Sequence, residues 1–156
     1  MATSIQLIPY APKYKQAFID LNINWLEEYF VVEPYDQKIL EQCEEVILEK
    51  GGHIFFALHD EEVVGTFAFI RASEGVYELG KMAVAKTKRG LGIGNQMMAF
   101  SIRFAEKHHW KKLFLYSSSL LANSLHLYRK YGYVDIPIEP DSPYDRGDVK
   151  MELILD

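Results

Sequence analysis

The chain has 156 residues, of which 49% are hydrophobic and 25% are charged, a balance typical of a folded globular protein and not of a disordered one. Its formal net charge of −5 argues against a general nucleic-acid-binding surface, since neutralising phosphates requires a basic face. No apolar run approaches the length of a membrane span, and residues 1–9 lack the basic region and apolar core of a secretory signal.

This length is most simply one domain covering residues 1–156, and it is large enough to bury a substantial core. The lone Cys43 cannot form an internal disulfide, and its neighbours suggest that it packs in a helix. A single cysteine is consistent with a reducing compartment. We therefore expect a cytoplasmic protein with neither a membrane nor a nucleic acid as its partner.

The first half of the chain shows strand and helix patterns in turn. Phe18, Leu21 and Trp25 share one face of a first helix that starts near Pro12, and Asp36 is a plausible N-cap for a second helix. The acidic turn at 60–62 indicates a hairpin. The predicted elements are a strand at 5–9, helices at 12–29 and 36–50, and strands at 53–59, 63–72 and 76–84.

The second half continues with a helix at 93–109, a strand at 112–117, a helix at 123–131, and strands at 133–138 and 149–155. The front half favours antiparallel pairing, whereas a strand–helix–strand unit in the centre favours a parallel pair. This order predicts an α/β (α+β) fold. We expect a mixed, mostly antiparallel central sheet of about seven strands with helices on both faces.

A glycine-rich loop follows the strand at 76–84. Glycine occupies positions 90, 92 and 94, after Lys86, Lys88 and Arg89, and a helical pattern begins at once. Such a loop lets the backbone approach a ligand closely, and the helix N-terminus behind it attracts an anion. A P-loop would need Gly-Lys-Ser/Thr, and a dinucleotide loop would need glycine at 95 or 97, so neither motif is present.

The segment Arg89-Gly-Leu-Gly-Ile-Gly94 resembles the signature Q/R-x-x-G-x-G/A of the GNAT superfamily of N-acetyltransferases. A second segment is similar to another signature of that family, an Asn-initiated helix with a Leu-Tyr pair that is closed by Gly and an aromatic residue. Here it comprises Asn123, Leu127-Tyr128 and Gly132-Tyr133. The resemblance is strongest from about Val63 to Val134. It implies a sheet whose two central parallel strands splay apart, with coenzyme A in the gap.

The resemblance also implies which residues bind acetyl-CoA. The glycine loop would hold the pyrophosphate, the main chain of the preceding strand would meet the pantetheine and the thioester, and the last helix would contact the pantetheine arm. The residues at these positions are Met82, Ala83, Val84, Arg89, Gly90, Leu91, Gly92, Ile93, Gly94, Asn95, Asn123 and Tyr128. For Asn123, the N-cap of the last helix is the default role, and both roles are compatible.

Acetyl transfer to an amine needs a proton acceptor and a proton donor. The resemblance assigns Glu78 to the first task and Tyr128 to the second, with the Met82 amide stabilising the thioester oxygen. Period-two alternation predicts that residues 78, 80, 82 and 84 share one face. The alternatives are that Glu78 is solvated or paired with Lys81 and that Tyr128 only packs, with Tyr131 as a rival acid.

The acceptor remains open at this point. Aromatic and acidic residues could hold an ammonium group by cation–π contacts and ion pairs, although a simple surface mixture is also possible. They are Trp25, Glu28, Tyr29, Phe30, Glu33, Tyr35, Asp36, Asp141, Tyr144 and Asp145. The five histidines show no metal-ligand spacing, so no metal site is predicted.

The resulting hypothesis is an acetyl-CoA-dependent N-acetyltransferase that moves an acetyl group directly to a primary amine in a ternary complex. The alternative is a non-catalytic coenzyme A-binding sensor or regulatory module. A homodimer is possible, and an exposed final strand would offer one route to it.

Overall fold

The computed structural model describes residues 3–155. The helices and strands follow the predicted order, with ends that shift by a few residues. They are β1 Gln6–Pro9, α1 Lys15–Tyr29, α2 Pro34–Glu41, β2 His53–His59, β3 Glu62–Ser73, β4 Val76–Val84, α3 Ile93–Lys107, β5 Lys112–Ser117, α4 Ala122–Lys130, β6 Val134–Ile136 and β7 Val149–Ile154.

The seven strands form one sheet in the order β1-β2-β3-β4-β5-β7-β6. Every neighbouring pair is antiparallel except β4 and β5, which run parallel. Their pairing covers only residues 76–78 of β4 and 112–114 of β5. Beyond these residues the two strands separate, as the predicted splayed centre requires.

Two hydrophobic layers enclose the sheet. On one face, Phe18 of α1 and Ile39 and Leu40 of α2 pack with Phe56 and Ala68 of the sheet. On the other face, α3 and α4 cover a cluster rich in aromatic side chains. Its members include Phe55, Phe67, Phe69, Tyr77, Met97, Met98, Ala105, Trp110, Leu113 and Leu125. The prediction of helices on both faces is confirmed.

The start of α2 differs from the prediction. Pro34 occupies the first turn, so the helix begins before Asp36, and Glu33 is the N-cap. The Asp36 carboxylate accepts a hydrogen bond from the Glu33 N–H, which completes a reciprocal capping box. The predicted second helix also does not run unbroken, because α2 ends at Glu41 and a π-helical turn at Glu44–Leu48 follows. Cys43 lies between them and is fully buried.

In α1 the side chains of Phe18, Asn22 and Leu26 are buried, and those of Leu21 and Trp25 are half-buried. The expectation of an exposed final strand is corrected. The final strand β7 lies between β5 and β6, so β1 and β6 form the sheet edges, and β6 covers β7 at residues 150–152. None of the helices within residues 3–155 is long and apolar enough to cross a membrane.

We expect Leu40→Ala to lower the free energy of unfolding by about 2–5 kcal/mol, because it opens a cavity in a close-packed core. Leu40 is 0% exposed beneath α2. Urea unfolding followed by circular dichroism measures the change. Leu120→Ala is the matched control, since Leu120 is 79% exposed and should shift the value by less than about 0.5 kcal/mol. Equal losses in both variants would contradict this description of the core.

Candidate active site

The gap between β4 and β5 contains a cavity of about 320 Å³. Residues 79–84 of β4 form one wall and residues 115–118 form the opposite wall, which is where the pairing of the two strands has ended. A second cavity of about 300 Å³ lies beside the glycine loop. Both cavities are lined by Val84, Arg89, Gly94, Asn123, Ser124 and Leu127, so they are adjacent, and we refer to the two together as the channel.

The glycine loop requires glycine for its conformation. Gly90 and Gly92 both have φ of 82°, in the left-handed region that other residues rarely adopt. A Cβ atom on Gly90 would meet nothing within 4 Å, so backbone strain and not crowding excludes a side chain there. Gly92 is the N-cap of α3, and no side chain caps this helix end. The first N–H groups of α3 are therefore left for a ligand in the second cavity.

Arg89 links the glycine loop to α1. Its Nη1 lies 2.6 Å from the Glu28 carboxylate and 3.3 Å from the Tyr29 hydroxyl, and its Nε donates to the Val84 carbonyl at 3.4 Å. The guanidinium lines both cavities. It is thus a positive group at the junction of the two cavities, held by α1 on one side and β4 on the other.

Glu78 is a buried carboxyl in the wall of the first cavity, with 7% of its surface exposed. Burial raises the pKa of Glu78 to about 7, and the nearby Lys81 ammonium and a hydrogen bond from the Tyr144 hydroxyl partly oppose this rise. The Tyr144 oxygen lies 3.3 Å from Glu78 Oε2. The carboxyl therefore exists in both protonation states near neutral pH.

A bulge in β4 alters the predicted alternation. Lys81 has φ of 52°, and the pairing of β4 with β3 shifts between Thr66 and Ala68. As a result, Met82 and Val84 pack in the cluster beneath α3, on the face of Tyr77 and Leu79. The prediction that residues 78, 80, 82 and 84 point the same way is wrong, because the extra residue reverses the faces after Gly80.

A largely buried ionic network packs against the cavity wall near Lys81. Asp36, which is 0% exposed, contacts Lys81 Nζ at 3.1 Å and accepts hydrogen bonds from Arg146 at 2.7 and 2.9 Å. Arg146 also donates to Glu33 at 2.9 Å. Lys81 and Arg146 line the cavity, whereas Glu33 and Asp36 do not. Glu33 and Asp36, two of the acids expected to meet an ammonium group, are thus already paired.

Arg146 was not singled out in the sequence, and Lys81 was considered only as a possible partner of Glu78. The sequence offers little signal for their contacts with Asp36, because Arg146 lies 110 positions from Asp36, in the loop between β6 and β7. The aromatic candidates Trp25, Tyr29, Phe30 and Tyr144 do line the cavity.

The last helix supplies Asn123 and Tyr128 to the channel. Leu121 is the N-cap of α4, so Asn123 is the second helical residue and the predicted N-cap role is wrong. Burial raises the pKa of Tyr128 to about 12, against a smaller opposing effect of a hydrogen bond with Ser124. The rival Tyr131 donates to the Asn95 carbonyl at 3.1 Å and does not line either cavity.

The structure brings together all but one of the sequence-predicted site residues. The exception is Leu91, whose side chain is 39% exposed and whose carbonyl accepts a hydrogen bond from the Thr3 N–H. The residues that line the channel are Glu78, Met82, Ala83, Val84, Arg89, Gly90, Gly92, Ile93, Gly94, Asn95, Asn123 and Tyr128. Among residues 3–155, no cluster of three or more His, Cys, Asp or Glu side chains is arranged to bind a metal ion.

The model of the acetyltransferase (GNAT) family matches residues 18–133. The chain belongs to this family. Comparison with curated proteins gives no match.

Solved structures of GNAT-like acetyltransferases share the fold. An acetyltransferase of the GNAT family from Staphylococcus aureus Mu50 superposes with a TM-score of 0.87 at 22% identity, covering 98% of this chain and 100% of that chain. A Bacillus subtilis acetyltransferase in complex with CoA superposes with a TM-score of 0.74 at 18% identity, covering 97% of this chain and 99% of that chain. A dodecameric spermidine N-acetyltransferase from Vibrio cholerae superposes with a TM-score of 0.75 at 17% identity, covering 97% of this chain and 94% of that chain.

We compare the free energies of unfolding of Glu78→Gln and the wild type. As the pH rises from about 5 to about 8, we expect the difference to change in favour of the variant by up to about 3 kcal/mol. The folded-state pKa of Glu78 is raised from 4.5 to about 7, so the native protein keeps a proton that the unfolded chain releases. The contribution of Glu78 to the stability of the wild type therefore falls as the pH rises through this range. Glutamine does not titrate, so the variant does not lose stability in this way.

Urea unfolding at several pH values measures the difference between the two proteins. Glu27→Gln, at an exposed position of α1, is the control and should show a pH-independent difference. A pH-independent difference for Glu78→Gln as well would show that the native carboxyl titrates normally.

Proposed function

We propose that this protein is an acetyl-CoA-dependent N-acetyltransferase that transfers acetyl directly to a primary amine in a ternary complex. The observation that carries the proposal is the channel itself. It places an uncapped helix N-terminus and a glycine loop beside a cavity that holds a buried carboxyl of raised pKa, Glu78, and the partly buried phenol of Tyr128. Part of the lining of that channel, including Arg89, Gly92, Gly94, Asn123 and Tyr128, belongs to the two segments that resemble the GNAT signatures.

The proposed coenzyme site fits the residues present. Gly90 and Gly92 allow the main chain to approach a diphosphate, the α3 N-terminus supplies N–H donors, and Arg89 adds positive charge. The unpaired edges of β4 and β5 leave backbone groups for the pantetheine arm, with Met82, Ala83 and Val84 on the wall. Bound acetyl-CoA would supply the activated acetyl group.

Three residues have proposed chemical roles. The Met82 N–H stabilises the charge that develops on the thioester oxygen, and loss of one such donor typically slows a reaction about 100- to 1000-fold. The Glu78 carboxylate accepts the proton of the incoming ammonium, directly or through water. A free amine of pKa about 10 is mostly protonated at neutral pH, so this step is required before attack.

Tyr128 is the proposed acid that protonates the departing thiolate. Its raised pKa keeps the phenol protonated until it is needed. A thiol has a pKa of about 8.5 in water, below that of the phenol. Burial in the same cavity penalises a thiolate as it penalises a phenolate, so both pKa values rise together and the transfer stays accessible.

The alternative function is a coenzyme A-binding sensor without catalysis. Glu78 and Tyr128 favour the enzyme, because a binding module has no need of a buried carboxyl and a phenol in the wall of the same cavity. The predictions of a single domain over residues 1–156, of a cytoplasmic location and of a possible homodimer remain predictions.

Calorimetry with CoA and acetyl-CoA, followed by thiol release in a panel of amines, tests the proposed function. We expect binding of both coenzymes and amine-dependent thiol release. Initial rates at varied concentrations of both substrates should give intersecting lines, as a ternary complex requires. Binding without release above hydrolysis would favour the sensor, and parallel lines with an isolable acetyl-enzyme would contradict direct transfer.

We expect Tyr128→Phe to lower kcat about 100- to 10,000-fold while the Kd for CoA stays nearly constant, because only the acid is lost. Steady-state rates and calorimetry on the same preparation measure the two quantities. Tyr131→Phe is the matched control, since Tyr131 bonds to the Asn95 carbonyl and does not itself line either cavity. An unchanged kcat in Tyr128→Phe would remove Tyr128 from this role.

A further inference from the structure

The charged side chains on the wall of the first cavity are unusual for an enzyme that would take a polyamine. They are Glu78, Lys81, Arg89 and Arg146. Three of the four are cations, and Glu78 is the one acid among the described residues of this wall. A polyamine would bring several ammonium groups to a surface that offers a single, partly protonated carboxyl.

Four other acids in this region, Glu28, Glu33, Asp36 and Glu139, are already bonded to cations. Glu28 is paired with Arg89 at 2.6 Å, Glu33 with Arg146 at 2.9 Å, and Asp36 with both Lys81 and Arg146. Glu139 is paired with Lys150 at 2.9 Å. These pairs hold the cations in place and leave few carboxylate oxygens for a second ligand.

Arg146 retains unused donors. Its Nη1 donates to Glu33 and to Asp36, and its Nη2 donates once to Asp36. A guanidinium has five N–H groups, so one N–H on Nη2 and the Nε–H have no partner within residues 3–155. Because Arg146 lines the cavity, these donors are available to a carboxylate there.

Tyr144 connects this arginine to the proposed base. Its hydroxyl lies 3.3 Å from Glu78 Oε2, while the Arg146 guanidinium carbon lies 4.7 Å from the centre of its ring. The proton acceptor and the free N–H donors are therefore separated by about one tyrosine side chain. An amine nitrogen and a carboxylate of one small molecule span such a distance.

Aromatic side chains complete this end of the cavity. Phe30 lies 5.7 Å from the Arg146 guanidinium carbon, and Trp25 packs against Phe30 with a ring separation of 5.8 Å. Both rings line the cavity together with Tyr144. They offer an apolar surface to the body of a ligand whose charged groups lie elsewhere.

We propose that the acceptor is an amino acid, with its amine at Glu78, its carboxylate at Arg146 and an apolar or aromatic side chain against Trp25 and Phe30. This inference rests on the proposed function and specifies its substrate class. Lys81 supports the arrangement, since its ammonium lies 4.7 Å from the Tyr144 ring centre and repels a second cationic group. Arg146 is thus a specificity-determining residue.

Matched acceptors test the inference on the unaltered protein. Thiol release from acetyl-CoA is measured with phenylalanine against phenethylamine, leucine against 3-methylbutan-1-amine, and spermidine. The members of each pair differ by the carboxylate alone. We expect kcat/KM to be about 30-fold or more higher for the carboxylated member of each pair, the usual effect of removing one partner of a buried charge pair.

A preference for the decarboxylated amines or for spermidine would overturn the inference and leave the proposed function intact. No release with any amine, despite coenzyme binding, would overturn both.

Variants of Arg146 locate the effect. Arg146→Gln should abolish the preference within each pair by raising KM for the amino acid, with the KM for acetyl-CoA unchanged. Because that change leaves Asp36 with Lys81 alone, Arg146→Lys serves as a second variant that keeps the charge and should retain part of the preference. Arg129→Gln is the control, because Arg129 is exposed and paired with Asp135. This variant should retain the full preference for the carboxylated acceptors. An undiminished preference in both Arg146 variants would overturn the role of Arg146.

Discussion

The site exists because two parallel strands stop pairing after three residues. Sheet strands normally bond along their full length, since an unpaired buried backbone group is costly. Here β4 and β5 separate after Glu78 and Phe114, and the α1 and α4 helices line the opening instead of closing it. The exposed strand edges keep their hydrogen-bonding capacity for a ligand. Every residue with a proposed chemical role lies along this opening or at its mouth.

Buried charge shapes the acceptor end of the opening. Asp36 is wholly enclosed and therefore depends on the cations that contact it, Lys81 from β4 and Arg146 from the loop before β7. The same burial that would penalise an isolated carboxylate makes this three-part arrangement rigid. It joins α2, β4 and the last loop into one wall. Removal of either cation would leave a buried charge without its partner.

Local patterns in the sequence were sufficient for much of this description. The period-two and helical patterns predicted the strands and helices, and the spacing of Gly90, Gly92 and Gly94 after Arg89 predicted the anion cradle. The N-caps were less predictable, because Asp36 and Asn123 are good capping residues that the structure places inside the first turn. Pro34 begins α2 earlier than the composition suggests, and Leu121 precedes α4 without any capping side chain.

The remaining features depend on contacts between distant parts of the chain. Gly80 is a weak signal of the bulge at Lys81, since an isolated glycine in a strand pattern can mark one. The pattern alone does not show that the bulge turns Met82 and Val84 to the other face. Arg146 and Asp36 are 110 positions apart in the chain, so only the tertiary structure brings them together.

One contact joins the two ends of the channel. Arg89 of the glycine loop is held by Glu28 near the end of α1, and α1 also carries Trp25 and Leu26 in the cavity wall. An anion that arrives beside this guanidinium competes with Glu28 for it. If the loss of this contact shifts α1, the anion changes the affinity of the cavity for a ligand beside Trp25, and that ligand changes the affinity for the anion by the same factor.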